Sequence, residues 1–72
     1  MQIVEALKWA SIELSYSDSA AIDARILLCA ILEKPQSYLF TWPERVLSDD
    51  EAVRFQALIK QRAEGQPVAY LV

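Results

Sequence analysis

Ala20-Ala21-Ile22-Asp23-Ala24-Arg25-Ile26-Leu27-Leu28-Cys29-Ala30-Ile31-Leu32-Glu33 is the stretch that decides the fold. It has helix-forming residues throughout and contains neither Gly nor Pro. Stepped at ~100° per residue, Ile22, Ile26 and Cys29 fall on one side of a wheel, and Ala24, Leu27, Leu28 and Ile31 on the other. Only Asp23, Arg25 and the terminal Glu33 interrupt the apolar surface. A helix that is apolar all round is a central one, wrapped by neighbours. This predicts a helix over 20–33 at the middle of a bundle, with Lys34 in its last turn, where a cation suits the dipole, and Pro35 ending it.

The rest of the chain supplies the neighbours. Upstream, Ile3, Ala6, Leu7, Ala10 and Leu14 form one stripe of a helix expected from about Gln2 to Ser15. Trp9, Ile12 and Tyr16 form a second, narrower stripe on its far side. Two readings are open for that second stripe: another element covers it, or it is an exposed patch that docks a partner or another domain. Ser15-Tyr16-Ser17-Asp18-Ser19 breaks the period, and Asp18 or Ser19 suits an N-cap. Downstream, Gln36 to Thr41 reads as a helical turn or two, stopped before Pro43. The aromatics around Trp42-Pro43-Glu44-Arg45 are expected to close the open end of the bundle.

Ser48-Asp49-Asp50-Glu51 is the strongest start signal, a capping box with two acids at the positive dipole end. Leu47 and Ala52 stand where a hydrophobic staple belongs. The helix is expected to reach about Glu64, with Gly65 as its left-handed terminator and Pro67 preventing a restart. Its inward stripe is Ala52, Phe55, Leu58, Ile59 and Ala63. Arg62 falls at the centre of that stripe, where a charge requires a reason. Either it snorkels past the bundle end or bonds the last carbonyls, or its guanidinium bonds the segment after Gly65 or another domain.

Composition agrees and excludes much else. The chain has 72 residues, 54% of them hydrophobic, with a net charge of −3, which excludes two domains and intrinsic disorder. One Gly and three Pro are too few for the turns of a β-sandwich and leave no room for a phosphate-cradling loop. The expected fold is all-α, a small bundle of four to five helices, three long and one or two short. With no His and one Cys, a zinc site, a triad and an internal disulfide are excluded. Cys29 is expected deep in its helix, with a raised pKa, in a reducing cytoplasm. The acidic balance and scattered Lys and Arg argue against direct nucleic-acid binding. The longest apolar run, Ile26 to Leu32, is far short of the ~20 residues that cross a bilayer, and no signal peptide is visible.

The segment Gln66 to Val72 is apolar with no stop signal. Residues 1–72 therefore read as one N-terminal helical domain, with about 65–72 beginning a linker to a further domain. An acidic helical domain with Asp18-Ser19-Ala20 at a helix start is similar to an acyl carrier protein. That family places Leu after the Ser, however, and follows its first helix with a long loop.

Three segments together resemble the N-terminal domain of the HemK-type (PrmC) release-factor glutamine methyltransferases. Asp23-Ala24-Arg25-Ile26-Leu27-Leu28 is like the family's Asp-Ala-x-x-Leu-Leu helix. Leu47-Ser48-Asp49-Asp50-Glu51 is like its Leu-Ser/Thr-x-x-Glu helix start. Arg62-Ala63-Glu64-Gly65-Gln66-Pro67-Val68-Ala69-Tyr70-Leu71 is like its Arg-x-x-Gly-Glu-Pro-x-Ala-Tyr-Leu stretch, with Gln66 in place of Glu and Val72 where Thr or Ile is common. The resemblance implies an enzyme that moves a methyl group from S-adenosylmethionine to the Gln side chain of a Gly-Gly-Gln motif in a peptide chain release factor. It also implies that the cofactor loop and the Asn-Pro-Pro-Tyr motif lie in a C-terminal catalytic domain, so no catalytic, cofactor or metal residue is assigned here. On this reading the bundle is not itself an enzyme and positions the release factor. Trp9, Ile12 and Tyr16 are the candidate docking residues, and Arg62, Gly65, Pro67 and Tyr70 form a candidate interdomain corner. The alternative is a structural helical adaptor for some other protein.

Overall fold

In a computed structural model describing residues 1–71, four α-helices follow one another: α1 (Ile3–Glu13), α2 (Ala20–Leu32), α3 (Gln36–Thr41) and α4 (Asp49–Ala63). A 3-10 turn, Val68–Tyr70, comes after them, and the described residues hold no strand. Local sequence chemistry sets most of the boundaries. Gln2 is extended, and its N–H donates to the Glu5 carboxylate at 2.8 Å. At the head of α4 the capping box forms in full. The Glu51 N–H donates to Ser48 Oγ at 3.1 Å, and the Ser48 N–H donates to Glu51 Oε1 at 2.9 Å.

The end of α2 differs from expectation. Glu33 takes a left-handed conformation, φ 55° and ψ 44°, and the Lys34 N–H donates to the Cys29 carbonyl at 3.3 Å. Lys34 therefore lies outside the helix, and its Nζ sits 5.5 Å from the centre of the Tyr38 ring. A left-handed residue closes the helix before Pro35 can, a role more often given to Gly.

The core draws on every element. α1 contributes Ile3, Ala6 and Ala10, with Leu14 just past its end, and α2 contributes Ala24, Leu27, Leu28, Ile31 and Leu32. Leu39, Leu47, Phe55 and Ile59 complete it. Burying a large side chain of this kind stabilises by about 1.5–3 kcal/mol. α2 packs on α1, α4 and α3, as a central helix should. It is not wrapped all round, however: Ile22 is 51% exposed, Ala21 and Ala30 are exposed, and Ile26 and Cys29 are half-buried. Two full-length neighbours and one short one cover only part of a cylinder, so one side of α2 faces out. Cys29 accordingly sits near the surface rather than deep. Partial burial still raises its thiol pKa, and Arg25 opposes that rise more weakly.

α4 follows its expected stripe only in the middle. Phe55 and Ile59 are buried, Ala52 and Leu58 are half-buried, and Ala63 is exposed. In the last turn Arg62, not Ala63, turns toward the bundle.

The open end of the bundle is closed by backbone rather than by aromatics. The N–H groups of Ile3 and Val4, orphaned at a helix start, donate to the carbonyls of Arg45 and Pro43, both at 2.9 Å. The Leu47 N–H returns to the Met1 carbonyl at 2.8 Å, and Gln2 pairs with Val46 as an isolated antiparallel bridge. Phe40 and Trp42 remain outside, 69% and 58% exposed. Helix-start donors need acceptors, and the carbonyls of the connecting peptides reach them. Arg45 fixes this connection to α4 through an ion pair with Glu51 Oε2 at 3.2 Å.

Candidate domain corner and docking face

α4 ends in a complete Schellman turn. The Gly65 N–H donates to the Arg62 carbonyl at 3.0 Å, and the Gln66 N–H to the Gln61 carbonyl at 3.2 Å. Gly65 has φ +103°, and a Cβ there would meet nothing within 4 Å. Glycine is required for its dihedral, not for room. Pro67, at φ −63° and ψ 145°, starts the 3-10 turn that brings Val68 and Leu71 back against the core. Leu71 borders a groove of about 410 Å³ between α2 and α4, alongside Ile31 and Leu58. Tyr70 points away, 81% exposed. Of the candidate corner residues, Gly65 bonds back to Arg62 and Tyr70 to Pro67 through the backbone, while Val72 lies outside the described residues.

Among the described residues, the Arg62 side chain bonds α2 rather than the last carbonyls of α4 or the segment after Gly65. Its Nε donates to Asp23 Oδ2 of α2 at 3.2 Å, across 39 positions of sequence. Asp23 is 7% exposed, the one buried charged residue among those described. The same oxygen accepts from Ser19 Oγ at 3.1 Å, and the Ser17 and Ser19 hydroxyls lie 3.1 Å apart. Ser19 stands at the N-cap position of α2 but does not cap it; its hydroxyl serves Asp23 instead. Arg62 is also held through its carbonyl, which accepts from Tyr16 Oη at 2.9 Å. Sequence reading treated Asp23 as a mere interruption of an apolar helix. The usable signal was two opposite charges, each alone on an apolar stripe. Removing one partner of such a pair costs more than the pair contributes, because the other charge stays desolvated.

The second stripe of α1 divides along its length. Trp9 is half-buried and meets Phe55 of α4 edge-on, with ring centres 6.2 Å apart at 63°. Ile12 and Tyr16 are 65% and 61% exposed. Trp9 is thus covered by α4, Ile12 is exposed on the last turn of α1, and Tyr16, expected on the same helix, lies exposed in the loop beyond its end at Glu13.

This helical bundle with a Gly-Gln-Pro corner matches a known domain family. The chain belongs to the PrmC N-terminal domain family, which matches it over residues 5–72. Among curated proteins it is 50% identical to the release factor glutamine methyltransferase of Aliivibrio fischeri, over 96% of this chain and 25% of that protein. It is 46% identical to the enzyme of the same name from Shewanella oneidensis, over 97% of the chain and 25% of the relative. The Vibrio cholerae enzyme of that name is 44% identical over the same shares. The chain therefore spans about a quarter of the length of the curated relatives it matches. No solved structure matches it. Among the described residues, no helix is long and apolar enough to cross a membrane.

Proposed function

We propose that this chain is the N-terminal, substrate-positioning domain of a cytoplasmic release factor glutamine methyltransferase. It would hold a peptide chain release factor so that the Gln of its Gly-Gly-Gln motif reaches a C-terminal catalytic domain. The observation that carries this reading is the hydrogen bond from Tyr16 Oη to the Arg62 carbonyl. It joins the exposed surface at the end of α1 to the turn from which the chain leaves the bundle. A partner seated on Ile12 and Tyr16, beyond the Trp9 ring that packs α1 on Phe55 of α4, would be held in fixed relation to whatever follows Leu71. The names of the relatives supply the chemistry of substrate and reaction.

S-adenosylmethionine would supply the methyl group in the whole enzyme. A site for it needs a loop whose backbone approaches the cofactor closely. The single Gly of this chain instead terminates α4 at an exposed corner. These residues do not fit such a site. The partners of the bundle are proteins, the release factor and the catalytic domain, rather than nucleic acid or membrane.

The test uses a full-length enzyme carrying this chain at its N-terminus, assayed on a whole release factor and on a short Gly-Gly-Gln peptide. Ile12→Asp should raise KM for the whole factor several-fold and leave the peptide kinetics unchanged. Gly65→Val should lower activity on the whole factor more than on the peptide. Equal losses on both substrates, or none, overturn the reading and favour a structural adaptor.

A further inference from the structure

We infer that Asp23 is a positioning residue: through Arg62 it fixes the last turn of α4 and so the direction in which the chain leaves the bundle. Arg62 is gripped at both ends. Its guanidinium is bonded to Asp23 of α2, and its carbonyl accepts both Tyr16 Oη from beyond α1 and the Gly65 N–H of the corner. The Schellman turn is thus anchored to two other elements by polar contacts of fixed geometry. Apolar contact alone would leave the end of α4 free to slide, because hydrophobic burial has no direction. The acid is itself held. Ser19 Oγ donates to the same Oδ2 that receives Arg62, and Ser17 lies beside Ser19. The loop between α1 and α2 therefore orients the carboxylate, the carboxylate orients Arg62, and Arg62 orients Gly65 and Gln66. Asp23 belongs to the first segment of the family resemblance and Arg62 opens the third, so residues far apart in sequence share one mechanical task. Tyr16 acts as the second clamp of this corner besides being exposed just beyond the end of α1.

The consequence for a substrate rests on the reading proposed above, but the clamp itself is testable in the 72-residue chain. Asp23→Asn keeps the shape and removes the charge, and Tyr16→Phe removes only the second clamp. Amide hydrogen exchange at Gly65 and Gln66 should accelerate roughly tenfold or more in each variant, while the amides of Leu28 and Phe55 in the core keep their protection. In an Arg62→Leu background, Asp23→Asn should add nothing further at the corner. Acceleration of core and corner by the same factor, or no change at the corner, overturns the inference. In the full-length enzyme, Asp23→Asn should then raise KM for a whole release factor without altering KM for a Gly-Gly-Gln peptide. If exchange at the corner accelerates but the two substrates respond alike, the clamp stands and the substrate-positioning role falls.

Discussion

Gly65 offers a clean separation of backbone strain from steric crowding. Its φ is +103°, and an added Cβ would touch nothing within 4 Å. Replacement by Ala therefore costs only what an L-residue incurs in left-handed territory, about 1–2 kcal/mol. Ala also restricts the unfolded chain, which returns about 0.4–1 kcal/mol. The net loss for Gly65→Ala is about 1 kcal/mol, which for a domain of this size lowers Tm by roughly 4–8 °C. Gly65→Asn should lose less, because Asn tolerates such dihedrals, and Gly65→Val more, because β-branching adds its own restriction. Urea unfolding followed by far-UV circular dichroism measures all three, and an unchanged slope against urea would confirm that only stability has moved. If Ala proves as stable as Gly, or if Val proves no worse than Asn, the dihedral is not what selects glycine at the corner.

Two further predictions concern helix ends. The Glu51 carboxyl is held below its usual pKa, chiefly by the Ser48 N–H and more weakly by Arg45, while burial opposes the shift. A lowered folded-state pKa gives stability that is present above the unfolded value, about 4.3, and lost as pH falls through the folded one; Glu51→Gln should therefore destabilise more at pH ~7 than at pH ~3, and an equal effect at both would contradict it. Glu33 is the one non-glycine residue described with positive φ, at 55°; Glu33→Gly should raise stability by up to about 1 kcal/mol in thermal unfolding, and a fall would show that the side chain compensates for its strain.

What could be read from the sequence was what neighbouring residues decide among themselves. The capping box at Ser48 and Glu51, the span of α3 and the terminator Gly65 need only a few consecutive positions, and each is present. Membership of the PrmC N-terminal domain family was legible for the same reason, since Arg62 to Leu71 carries a compact pattern. Features that depend on distant segments were not legible. Nothing near Asp23 announces Arg62, and nothing near Ile3 announces the carbonyls of Pro43 and Arg45. The wheel of α2 was correctly apolar, but Ile22 is exposed because exposure depends on how many neighbours exist, which periodicity does not encode. The stripe of Trp9, Ile12 and Tyr16 divides for a related reason: Phe55 of α4 covers only its first member.

The pairing of the first residues with the α3–α4 connection has a consequence for synthesis. A ribosome delivers α1 long before Pro43, Arg45 and Leu47 emerge. Until then the donors of Ile3 and Val4 have only water, and the Met1 carbonyl lacks its partner. The start of α1 is therefore secured only after α2 and α3 have been made, and the nascent bundle stays open at that end until the α3–α4 connection has emerged. An extension fused tightly before Met1 would lie beside that closing seam and slow its final step.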